Sequence, residues 1–103
     1  MIRHCVFINF KPEVSQASRD SMLAEIAALK GRLDGINAVH IGGNVSPETG
    51  MDKGFSSGFI VDFVDAKSRD IYLDDAEHQK TGAKLVASSV GGIAGILVFD
   101  IEV

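Results

Sequence analysis

Residues 2–10 read Ile2-Arg3-His4-Cys5-Val6-Phe7-Ile8-Asn9-Phe10, and Lys11-Pro12 follow. The run is rich in β-branched and aromatic residues, which suit a pleated surface, and Pro12 cannot donate to a ladder. It is expected to be a strand. Successive strand side chains point to opposite sides, so Ile2, His4, Val6, Ile8 and Phe10 share one face and Arg3, Cys5, Phe7 and Asn9 the other. Both faces carry apolar groups, so this strand predicts cover on both sides.

The next segment, Ser15 to Leu33, predicts a helix. Pro12, Glu13, Ser15 and Ser18 suit its start, and Leu23, Ile26, Leu29 and Leu33 recur at helical spacing. Gly31 weakens its last turn and Gly35 is a stop signal. Ala38 to Val45 is expected to be a second strand, with Gly42-Gly43 marking a bulge or a close backbone approach. Ser46 to Gly54 is dense in turn residues, and Phe55 to Val64 is a third strand. Ala66 to Leu73 predicts a short helix capped by Asp65. Asp75 to Gly82 is expected to be a turn followed by a helical stretch near Ala83 to Ala87, and Gly92 to Val103 the last strand.

The order β-α-β-β-α-β predicts an α+β, ferredoxin-like domain: a four-stranded antiparallel sheet with the helices on one face. The other face of the sheet is then bare, yet its strands offer it no polar side. An apolar patch of several hundred Å² is unusual on a monomer, and a second copy of the same sheet is the simplest cover. A homodimer through the sheet face is therefore expected.

At 103 residues the chain suits one domain, 1–103. With 46% hydrophobic and 23% charged residues it is a globular rather than a disordered composition. A net charge of −4 with no basic run gives no footprint for nucleic acid. No apolar stretch approaches the ~18 residues of a membrane span, and the N-terminal residues do not read as a signal peptide. The single cysteine, Cys5, has no disulfide partner, which makes a reducing cytoplasmic setting the default.

Several segments together resemble the stress-responsive dimeric α+β barrel domain family. These are Ile2-Arg3-His4 with the run from Val6 to Ser15, Gly43-Asn44-Val45-Ser46-Pro47-Glu48, Lys53-Gly54-Phe55, Asp70-Ile71-Tyr72-Leu73 with His78-Gln79, and Val98-Phe99-Asp100-Ile101. The resemblance runs end to end and implies a homodimer whose two sheets close into a barrel with the helices outside. It also implies, in some members, a pocket between sheet and helices. Part of that pocket is similar to the one in the plant olivetolic acid cyclase, where two histidines handle the proton transfers of an aldol-type ring closure and a tyrosine lies near them. His4, His78 and Tyr72 fall on those positions. The family commonly has a His-Pro pair three residues before the later histidine, where this chain has Asp75-Ala76.

For each candidate a structural role stands beside the chemical one. His4, on an apolar face, suits a neutral base, or equally a core histidine satisfied by one hydrogen bond. His78 follows Asp74, Asp75 and Glu77, whose charges would favour its protonated form and make it an acid, or would merely solvate a turn. Tyr72 is expected to face inward, for packing or for orienting a ligand. Asp62 and Asp100 interrupt apolar strands and are read as turned outward or placed at strand ends. Cys5, on the face opposite His4, is read as a buried structural thiol. No tight His, Cys and carboxylate spacing suggests a metal, the glycine pairs form no phosphate loop, and no cofactor is implied.

The leading function is binding of a small apolar or aromatic ligand by a pocket lined with His4, Val6, Ile8, Leu23, Ile26, Tyr72 and His78. The alternatives are a cofactor-independent enzyme using His4 and His78 for cyclase, lyase or isomerase-type proton transfer, with a monooxygenase as a weaker form, and a purely structural dimer.

Overall fold

The strand expected at the N-terminus spans Ile2–Ile8 (β1) in the computed structural model, which describes residues 1–103. It is followed by α1 (Gln16–Ala28), β2 (Ile36–Gly43), β3 (Ser57–Phe63), α2 (Ala66–Asp74), α3 (Ala76–Ala87) and β4 (Ile96–Glu102). The strands form one antiparallel sheet in the order β2-β3-β1-β4, the ferredoxin-like arrangement. β1 is therefore central, with β3 on one side and β4 on the other.

The even face of β1 looks toward the helices, as its pattern predicts. Val6, Ile8, Phe59, Val61 and Phe63 from the sheet meet Met22, Leu23, Ile26 and Leu29 from the α1 region, Tyr72 from α2 and Leu85 from α3 in a single buried cluster. α1 begins where Ser15 Oγ accepts the Ser18 amide at 3.1 Å. It ends at Ala28 rather than Leu33, because Leu29–Gly31 tightens into a 3-10 turn. α2 begins where Asp65 accepts the Ser68 amide at 2.8 Å.

Three further expectations change. The segment from Asp75 to Gly82 is not a turn: α3 is continuous from Ala76, since the Asp75 carboxylate caps it and a helix interior tolerates Gly82. The irregularity of β2 lies between Ile36 and Ala38, not at Gly42-Gly43, which pair in register with Gly58 and Ser57. The last strand starts at Ile96, because Gly91 and Gly92 have φ of 71° and 64° and lead into a 3-10 turn over Gly92–Gly95.

The odd face of β1 is uncovered within the protomer. Phe7 stands there beside Leu97, Phe99 and Ile101 of β4, which are 43%, 58% and 45% exposed, so the apolar face anticipated from the alternation is present and open. No helix is long and apolar enough to cross a membrane.

Two glycines test this packing in opposite directions. A Cβ at Gly95 would stand 2.5 Å from the Val90 carbonyl oxygen and 2.8 Å from Ser89 Cβ, whereas one at Gly82 meets nothing within 4 Å. Urea denaturation is expected to show Gly95→Ala destabilised by about 1–3 kcal/mol. Gly82→Ala is expected to be stabilised by about 0.5–1 kcal/mol, as for a helix interior.

Candidate functional site

On β1, His4 lies opposite Asp100 of β4, and the register turns both side chains to the helix side. His4 is buried, and its Nδ1 is 2.7 Å from Asp100 Oδ1. A carboxylate only accepts, so Nδ1 carries a proton, and it is the tautomer with its lone pair on Nε2 that this contact selects for a neutral ring. The second oxygen of Asp100 accepts from Arg69 Nη1 of α2 at 3.1 Å, which fixes the carboxylate from the other side.

Tyr72, on the last turn of α2, is 1% exposed and packs edge-on to His4 and to Phe63, with ring centroids 5.8 Å and 5.1 Å away. His78, on the first turn of α3, lies against the other side of the site, 4.1 Å from Tyr72 by ring centroid. The structure thus brings His4, Tyr72 and His78 together as one aromatic group. The Tyr72 hydroxyl and His78 Nδ1 are both buried without a hydrogen-bond partner. Buried polar atoms are almost always paired, so two unpartnered ones on adjoining rings stand out.

The electrostatics correct one expectation. Burial, reinforced by His4, holds His78 below the ordinary histidine pKa, and the opposing effects of the Leu73 carbonyl and Asp75 do not offset it. His78 is therefore not an acid made by its acidic neighbours. Asp74 and Glu77 are exposed, and the Asp75 carboxylate is taken up by Arg32 and the His78 amide. Burial pushes the Tyr72 phenol above its usual range, which keeps it protonated and a donor.

Of the expected ligand-lining residues, Val6, Ile8, Leu23 and Ile26 all belong to the packed core cluster, with Ile8 and Ile26 essentially inaccessible. A cavity of about 640 Å³ lies elsewhere, around Phe7, Gly42, Gly58, Ile60 and Leu97 near the β2–β3 loop, and none of the expected site residues lines it. Asp100 and Arg69 are the members that sequence reasoning missed. The one available signal was an acid two residues from Val98 on the face of β4 shared with Ile96, but its pairing with His4 depends on register. Asp62 is not turned to solvent either: it is buried on the open face under Arg3, at 2.8 Å, with His40 at 3.5 Å. Cys5 is buried on that same face, and burial raises its thiol pKa. No group of three or more His, Cys, Asp or Glu side chains is placed to hold a metal ion.

The depressed pKa of His78 has a testable sign. The unfolded chain binds a proton there more readily, so the stability His78 contributes is complete above about pH 6.5 and is lost as the pH falls through the folded pKa. The carboxylates held low, Asp62 and Asp75 among them, lose theirs only below about pH 4. Urea titrations at about pH 7.5 and 5.5 are expected to show a loss of stability that shrinks in His78→Phe.

Residues 2–103 match the family model described as Stress responsive A/B Barrel Domain. No curated protein matches the chain. Among solved structures, a dimeric ferredoxin-like protein of unknown function from Jannaschia sp. CCS1 is 30% identical with a TM-score of 0.83, covering 99% of this chain and 98% of its own. An Arabidopsis thaliana protein is 21% identical with a TM-score of 0.87, covering 100% of this chain and 95% of its own. The hydroxynitrile lyase from Passiflora edulis is 16% identical with a TM-score of 0.84, covering 99% of this chain and 92% of its own. With a family model matched over nearly its whole length and the fold that the model's name describes, the chain belongs to the stress-responsive A/B barrel domain family.

Proposed function

We propose that the protein is a homodimer, each protomer of which binds a small apolar or aromatic ligand at His4, Tyr72 and His78. The observation that carries this reading is the pair of buried, unpartnered polar atoms, Tyr72 Oη and His78 Nδ1, on two rings 4.1 Å apart by centroid, with His4 packed against the first of them. A ligand hydroxyl there accepts from the Tyr72 O–H and donates to an unprotonated His78 Nδ1, which relieves both orphans, and the surroundings of Val6, Ile8, Leu23 and Ile26 favour an apolar remainder. Because those four side chains are closely packed, the ligand is small and enters by displacing them or a helix. The open apolar face, on which Phe99 is 58% exposed, supports the dimer, and the Jannaschia protein is described as dimeric. One unpaired cysteine is consistent with a reducing cytoplasmic setting.

A second reading, a cofactor-independent enzyme, is favoured by the His4–Asp100 contact. With Nδ1–H bound by the carboxylate, Nε2 takes a proton from a carbon or oxygen of the ligand, and Asp100 stabilises the imidazolium that results. Tyr72 donates to the oxygen on which negative charge develops, and His4 returns the proton at the end, so no oxidant or cofactor is consumed. That a hydroxynitrile lyase shares this fold supports proton-transfer chemistry on it.

Three kinds of measurement test these readings. Sedimentation velocity at micromolar concentration is expected to give twice the 11.0 kDa protomer mass, and Phe99→Glu is expected to give the protomer. A single wild-type species of protomer mass removes the dimer. Thermal-shift and NMR titrations with small phenols and aryl ketones are expected to locate binding at Tyr72 and His78. Affinity is expected to fall about tenfold or more in the His4→Ala/His78→Ala double variant, a change of about 1.4 kcal/mol. Proton–deuterium exchange at the enolisable carbon of a bound ketone divides enzyme from binder. If the double variant keeps both affinity and exchange, the histidine site is wrong, and if the wild type binds none of these ligands the chain is a structural dimer.

A further inference from the structure

The chain passes from α2 to α3 through a single residue, Asp75, which closes one helix and opens the next. Its amide donates to the Tyr72 carbonyl at 3.2 Å, and its carboxylate Oδ2 accepts the amide of His78 at 3.1 Å. The two residues whose rings meet at 4.1 Å are thus both bonded, through their backbones, to Asp75. The same carboxylate is gripped from outside the corner: Arg32 Nη2 is 3.0 Å from Oδ1 and Nη1 is 3.4 Å from Oδ2. Arg32 follows the 3-10 turn after α1, so the pair ties the α2–α3 corner to a third element. The Asp75 side chain is 12% exposed and that of Arg32 51%, so a sheltered carboxylate is held by a cation at the surface.

We propose that Asp75, clamped by Arg32, is the positioning residue that holds the His78 ring against Tyr72. The physical reason is local. The first amides of a helix have no partner within it, and a first turn whose cap is removed frays. His78 sits in that first turn, so any fraying moves its ring, and α3 has no other side-chain cap. The proposal rests on the reading of Tyr72 and His78 as a site, but its test needs no ligand, so the two stand or fall separately.

The test is NMR of the His78 ring in the full-length protein. The ring packs on Tyr72 from α2 and feels the charge of His4 from β1 and of Asp75 at the cap of its own helix. In the wild type its protons are expected to carry a ring-current shift from Tyr72, with a pKa below about 6.5. Asp75→Ala is expected to abolish that shift and to raise the pKa toward 6.5 as the ring gains solvent. Asp75→Asn, which keeps a capping oxygen, is expected to retain most of the wild-type signature. Arg32→Leu leaves the cap in place but frees the carboxylate, and is expected to move the His78 signals partway in the same direction. It serves as the decisive variant where Asp75→Ala does not fold. Wild-type shifts and pKa in Arg32→Leu or in a folded Asp75→Ala overturn the proposal. So does an Asp75→Asn displacement as large as that of Asp75→Ala, which would assign the effect to charge rather than to the cap.

Discussion

β1 pairs on both edges, and its register with β3 and β4 sets which side chains can meet anywhere else in the molecule. A slip of one residue in a strand sends every side chain to the other face. In the observed register His4 stands between Val61 and Asp100, the first apolar and the second a carboxylate, all on the helix side. Moved by one position, the same strand would bury Arg3 beneath the helices and send His4 to the open face. The core of Val6, Ile8, Phe59, Val61 and Phe63 specifies that register strongly, because the alternative exposes all of it. The polar site is therefore carried along by hydrophobic pairing.

The two faces of the sheet handle buried polarity in different ways. On the open face, Asp62 is buried but has both oxygens paired with Arg3, and His40 stands 3.5 Å from one of them. On the helix side, Asp100 is paired with His4 and Arg69, yet the Tyr72 hydroxyl and His78 Nδ1 are left buried without partners. An unmade hydrogen bond in a low-dielectric interior costs more than a made one returns. A chain under no functional demand would place phenylalanine at such positions. That contrast, more than the presence of histidines, is what supports the site proposed on the helix side.

Much of this was legible in the residues. The alternation in β1 announced two covered faces, the stripe of α1 announced the helix layer, and the end-to-end resemblance named the family. His4 and Tyr72 turned inward because their neighbours in the pattern are apolar. The misread segment, Asp75 to Gly82, has a physical cause. Acidic residues and a glycine suggest a turn, but a carboxylate one residue before a helix is also a cap, and Gly82 costs only about 1 kcal/mol in a helix interior. Reading the carboxylates as solvating charges then gave His78 the wrong electrostatics, since Asp75 is bound by Arg32, 43 residues earlier in the chain.

By itself the sequence determined the kind and order of the elements, the face each presents to the core and the apolar face left open, because these follow from periodicity and from where water is excluded. Only the tertiary structure decided that Asp100 belongs to His4, that Asp62 belongs to Arg3, and that His78 is held neutral beside Tyr72. Each of those is a contact between residues distant in the chain or a consequence of burial. Alternation says which way a side chain points; which partner it finds there is set by strand register and helix docking, and the energies that set them are shared across the whole core.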